Sequence, residues 1–149
     1  MILPVTLVIA AAAGLINIWL AVRVTQVRSK ANVWLGDGGH EPVVARTRAH
    51  TNFVEYAPFV LILVALIELA RGPSLWLWPL GVAFILARLC HGIGMDPTAP
   101  RILRRIGAMT TLAVLLALAV WALVIGYEGA AAKPASADPV IFGTAPPRG

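Results

Sequence analysis

Two long runs in this chain carry no charged side chain: residues 1–22, and Ile106–Tyr127, the second 22 residues long. A helix needs about 20 apolar residues to cross the hydrocarbon core of a bilayer, so each run reads as one crossing. A third apolar run, opening on Leu75-Trp-Leu-Trp-Pro79 and reaching about Met95, places tryptophans where interfacial aromatics are expected. The remaining run is different, because only the twelve residues Tyr56–Ile67 separate Glu55 from Glu68. That is too short to cross alone, so this span must take in polar residues ahead of it. Spans are therefore expected at about 2–23, 48–70, 74–95 and 102–127. With 59% hydrophobic residues, 13% charged and a mean hydropathy of +0.82, the composition agrees. The fold class is all-α integral membrane, one four-transmembrane-helix bundle over residues 1–128.

The connections and ends carry little chemistry. Leu35-Gly-Asp37-Gly-Gly39-His40-Glu-Pro42 is turn-rich and matches neither a phosphate loop nor a calcium loop. The single cysteine, Cys90, excludes an intrachain disulfide and cannot build a thiolate metal cluster. No basic segment precedes the first apolar run, which argues against a cleaved leader. Residues 129–149 are rich in Ala, Pro and Gly without periodicity and read as a flexible tail. The net charge of +5 lacks the aromatic-interleaved basic surface of a nucleic-acid binder. Of the twelve Lys and Arg, five lie between Arg23 and Arg48 and four between Arg88 and Arg105. Loop basicity of this kind puts the first and third connections in the cytoplasm and both termini outside.

Chemistry concentrates at the front of the second span. On a helix Arg48, Asn52 and Glu55 stand at i, i+4 and i+7, and Tyr56 lies one turn beyond Asn52, so the four share a side. That side cannot face lipid. It forms either a self-satisfied polar seam, such as an Arg-Glu pair joining two helices, or a pocket for a charged, polar ligand. The third span ends on Arg88 and His91, three apart and on one face, and the fourth opens on Arg101, Arg104 and Arg105. Arg104 and Arg105 read as anchors at anionic headgroups. Asn17, inside the first span, reads as an interhelical hydrogen-bonding residue. The expected topology brings these dispersed groups to one membrane face.

The motif Arg48-Ala-His50-x-Asn52-x-x-Glu55-x-x-Pro58, with Arg88-x-x-His91 and Pro100-Arg101, resembles the signature of the membrane-associated proteins in eicosanoid and glutathione metabolism, the MAPEG family. Leu35-Gly-Asp37-Gly-Gly39 is similar to its small bacterial branch. The resemblance covers about residues 1–127 and implies a homotrimer in the bacterial inner membrane, with glutathione as co-substrate, no metal, and the site near the cytoplasmic face. It implies Arg23, Arg48, His50, Asn52, Glu55, Tyr56, Arg88 and His91 as glutathione-binding residues and Arg101 as the catalytic group near sulfur. Arginines can pair with the two carboxylates, Glu55 with the amino group, and Asn52 and His50 with the peptide groups. A cation beside sulfur favours the thiolate, which attacks lipophilic electrophiles arriving from the bilayer. One position departs from the pattern: many catalytic members carry a tyrosine four residues after the histidine, and here it is Met95, whose thioether has no proton to give. Three functions stay open: a glutathione transferase with or without peroxidase activity, a non-catalytic membrane ligand-binding or scaffold protein, and a small transporter.

Overall fold

The structure, a computed structural model, describes residues 2–131. Among the described residues four helices follow one another: α1 Pro4–Ala31, α2 Glu41–Arg71, α3 Leu77–Gly94 and α4 Arg101–Ala131. All four are long and apolar enough to cross a membrane, and the chain is an integral membrane protein. At 1.5 Å per residue, α3 is about 27 Å long, while α1, α2 and α4 reach about 42–46 Å and extend past it. α2 begins at Glu41, within the segment read as a connection, and α4 runs to Ala131, within the segment read as tail. The rest of that tail lies outside the described residues.

Local chemistry explains the helix ends. Pro4 and Pro42 sit in the first turns of α1 and α2, where the missing N–H has no intrahelical partner to lose. α1 closes on Asn32 in the left-handed region (φ 53°), whose N–H returns to the carbonyls of Arg28 and Ser29. α2 continues through Pro58 as a single helix and ends at Gly72, with φ 76°.

Side-chain partners fix the up-down-up-down order. Arg23 of α1 donates to Asp96 and, at 2.9 Å, to the carbonyl of Gly92, both at the end of α3. Arg46 near the start of α2 reaches Asp96 Oδ1 at 3.4 Å. At the opposite end Glu68 of α2 meets the start of α1, and Arg71 pairs with Glu128 of α4. α3 packs most extensively on α4 and α1 on α2, while α1 and α4 lie diagonally and do not touch. Each helix buries one stripe, as Val5, Ile9, Ala13, Ile16 and Leu20 do in α1, at the three-to-four spacing of a single helical face. The apolar residues left outside, such as Leu15, Phe59, Leu116 and Leu123, face the surroundings that a bilayer supplies.

Glu68 shows how the bundle treats a charge far from either connection on the polar side. It is fully buried and accepts from the N–H groups of Val5 and Thr6 at 2.9 and 2.8 Å and from Thr6 Oγ1 at 2.6 Å. These N–H groups belong to the first turn of α1, which has no intrahelical acceptor for them. The carboxylate therefore caps α1 from a different helix.

α3 and α4 approach closely through glycine. A Cβ on Gly107 would lie 2.5 Å from the carbonyl oxygen of Ala87 and 2.6 Å from the backbone N of His91. Both neighbours are main chain and cannot swing aside. Gly107→Ala is accordingly expected to force the two helices apart and destabilise the fold by about 1–3 kcal/mol, measured as a lower thermal midpoint in detergent. An unchanged midpoint would contradict this tight crossing.

Candidate functional site

The polar face of α2 meets α3 and α4 at the end of the bundle that carries the first and third connections. Arg88 of α3 is the innermost charge at this end, with 1% of its surface exposed. Its Nη2 donates to Asn52 Oδ1 at 2.7 Å and its Nη1 to Thr111 Oγ1 at 3.3 Å. Thr111 in turn donates to the carbonyl of Gly107 at 2.7 Å. The guanidinium also lies 5.8 Å from the ring of Phe53 and 5.9 Å from that of Tyr56, within reach of cation–π attraction. Arg88 thus ties α2, α3 and α4 together, because a buried cation without such partners is strongly destabilising.

Outward of this network lies a cleft of about 350 Å³ lined by Arg48, Thr51, Asn52, Glu55, His91, Met95 and Arg104. Asn52 therefore faces two ways, its oxygen toward Arg88 and its side chain edging the cleft. Arg48, Thr51 and Glu55 are exposed, whereas His91 is 6% exposed and its Nδ1 has no hydrogen-bond partner. An outer lobe of about 520 Å³ continues from the cleft and shares Arg48, Met95 and Arg104 with it. Arg101 and Arg105 line only this outer lobe.

The residues singled out from sequence divide into three groups. Arg48, Asn52, Glu55 and His91 share the cleft, and Arg88 and Tyr56 line a small cavity beside Asn52. Arg101 stands next to the cleft in the outer lobe. Arg23 and His50 are elsewhere. Arg23 is held by Asp96 and Gly92 and stacked 4.7 Å from the ring of Trp19. His50 is on the other side of α2, its Nε2 2.9 Å from Asn17 Oδ1. Helix geometry explains the latter, since two residues on from Arg48 is about 200° around the axis.

Arg104 belongs to the cleft although its sequence context reads as a headgroup anchor. Its place follows from Gly94, where the missing side chain lets the backbone of α4 at Leu103 and Arg104 come against α3. Asp96 carries no mark of a role in the sequence. It joins Arg23 of α1, Arg46 of α2 and the end of α3, and so holds the segment that carries Met95.

The comparison with protein families decides the wider assignment: the model of the MAPEG family matches residues 6–124. The chain belongs to the MAPEG family. The match includes every residue that lines the cleft. Among curated proteins, the chain is similar to inner membrane protein YecN of Escherichia coli strain K12, with 32% identity over 94 residues, 62% of this chain and 70% of the relative. The YecN protein of Escherichia coli O6:H1 strain CFT073 matches to the same extent. For a MAPEG chain, the expected polar signature on α2 and its Arg and His partners on α3 now have a common location, at the edge of the bundle.

Proposed function

We propose that this protein binds glutathione in the cleft between α2, α3 and α4, ionises its thiol, and transfers the sulfur to lipophilic electrophiles drawn from the bilayer. The reading rests on one observation. A single cleft gathers Arg48 from α2 and Arg104 from α4, with Arg101 adjoining, against the one carboxylate Glu55 and the amide of Asn52. Glutathione has the complementary pattern, two carboxylates and one ammonium on a short peptide. Arg48 takes a carboxylate, Glu55 the ammonium and Asn52 a peptide group, while Arg104 and Arg101 stabilise the sulfur anion. The thiol proton passes to solvent, the thiolate attacks an electrophilic carbon, and a C–S bond forms as the leaving group departs with its electron pair. His91 borders the same space and is available to the bound peptide through its ring.

The proposal places the protein in the bacterial inner membrane, both termini outside, with the cleft near the cytoplasmic face. The inner-membrane relatives support that membrane, and the basic first and third connections support that orientation. It also makes the assembly a homotrimer. Arg48, Thr51 and Glu55 are exposed on a single subunit, and a neighbouring copy would complete the cleft and exclude water from the thiolate.

Met95 favours a second reading, binding without turnover, because its thioether lines the cleft where a hydroxyl could have assisted a leaving group. One experiment separates the two. Purified protein in detergent is titrated with glutathione while absorbance near the thiolate band and heat are recorded, followed by turnover with a model lipophilic electrophile. The transferase reading expects saturable binding, a thiolate signal and turnover, with Met95→Tyr raising turnover about tenfold or more at nearly unchanged affinity. Binding and thiolate without turnover in either protein would establish the ligand-binding reading. No binding by either readout would remove glutathione from both.

A further inference from the structure

The head of α4 concentrates positive charge that the proposed chemistry does not fully use. Arg101 and Arg105 are one turn apart, and both line the outer lobe, a cavity of about 520 Å³ that they share with Arg48 and Arg104. Among the described residues none of these four arginines forms an ion pair. Asp96, the nearest carboxylate on the connecting segment, is already bonded by Arg23 and Arg46. The first turn of α4 has no acidic residue, and Glu41 is the one other carboxylate in the lobe. Like charges so arranged repel each other and oppose the positive end of the helix dipole. An anion in the lobe would relieve both effects.

The surface below the lobe says which kind of anion. The charge-free span starts at Ile106, immediately after Arg105, so the arginines stand at headgroup depth. Positions 101, 105, 109, 112 and 116 fall within one narrow stripe of a 3.6-residue helix. Its lower three members are Met109, Leu112 and Leu116, with 67%, 47% and 66% of their surfaces exposed. One face of α4 therefore presents a basic pocket above and a bare apolar track beneath. A free phosphate would use only the first. A phospholipid uses both.

We propose that the outer lobe and this stripe form a binding site for an anionic phospholipid, with its phosphate on Arg105 and an acyl chain along Met109, Leu112 and Leu116. Basic pockets between helices at the membrane face bind anionic lipid headgroups, and an apolar track continuous with such a pocket gives the acyl chain a place. Because Arg48 and Arg104 border both lobes, a bound lipid reduces the positive potential of the cleft, which couples membrane composition to whatever anion the cleft holds.

The test is lipid retention measured by native mass spectrometry. Protein is transferred from nanodiscs containing phosphatidylglycerol and phosphatidylcholine in equal amounts into mild detergent. Wild type should keep phosphatidylglycerol in preference to phosphatidylcholine. Arg105→Gln should lose about tenfold in that preference and Arg105→Lys should retain most of it; Leu116→Ser should shorten retention without abolishing the preference. Equal retention of the two lipids would overturn the proposal, as would a preference unchanged by Arg105→Gln but removed by Arg28→Gln on α1. Displacement of the lipid by millimolar inorganic phosphate would reassign the lobe to a free anion. Glutathione is absent throughout, so the outcome stands or falls independently of the transferase reading.

Discussion

Arg104→Ala is expected to cut turnover about a hundredfold or more while weakening glutathione binding by less than about tenfold. The split follows from position. Arg48 and Glu55 can hold the ends of the peptide, whereas Arg104 shares the cleft with Met95 and His91, and a cation there is worth most once the sulfur carries charge. Losing a preorganised cation or donor at a developing anion affects the transition state more than the ground state. Thiolate absorbance of the glutathione complex should fall in the same variant. Arg101→Ala, removed from the outer lobe, is expected to have a smaller effect on both quantities. If Arg101→Ala abolished the thiolate and Arg104→Ala left it intact, the roles of the two arginines would be exchanged. Equal losses of affinity and turnover in Arg104→Ala would make it a simple binding residue.

Glu68→Ala should produce the largest loss of stability among single substitutions away from the cleft. The carboxylate is fully buried and accepts three hydrogen bonds from Val5 and Thr6. Removing it leaves two N–H groups of the first turn of α1 without their acceptor. Charge-assisted bonds and helix caps together set the expected loss at about 2–4 kcal/mol, or about 10 °C in the thermal midpoint. Thr6→Val, which deletes only the hydroxyl, should cost about 1 kcal/mol. Glu68→Gln keeps an acceptor of the same shape and should fall between wild type and alanine. A Glu68→Ala protein as stable as wild type would show that the start of α1 finds other partners.

The two substitutions also mark what the chain discloses before it folds. Four crossings are legible because a charge-free run has one reading once it is long enough, and the shared side of Arg48, Asn52 and Glu55 is legible because helical spacing is local. Asn17 reads correctly as a group that bonds between helices, and it meets His50. Partners on distant segments are not legible. Glu68 looks like a charge that bounds a span, since its acceptor role is toward backbone N–H groups 62 and 63 residues away, and backbone groups leave no signature in a sequence. Arg23 has the residue type expected of a carboxylate ligand, and in the fold it is bonded to a protein carboxylate, Asp96. Arg104 and Arg105 are adjacent and alike in sequence. Only the close approach at Gly94 gives Arg104 a wall of the inner cleft and leaves Arg105 to the outer lobe.

Arg88 carries a consequence for how the bundle is made. α3 is the shortest of the four helices and lacks a stretch as apolar as the best of the other three, and an arginine within an isolated span opposes its insertion by up to about 2.5–3.5 kcal/mol. The groups that accept its guanidinium protons are Asn52, on a helix synthesised earlier, and Thr111, on a helix that leaves the ribosome only after α3. α3 is then poorly suited to settle in the bilayer by itself. It becomes a membrane helix in company, held near α2 until α4 arrives to close its largest interface, so that the order of synthesis is written into a cation the finished protein hides almost completely.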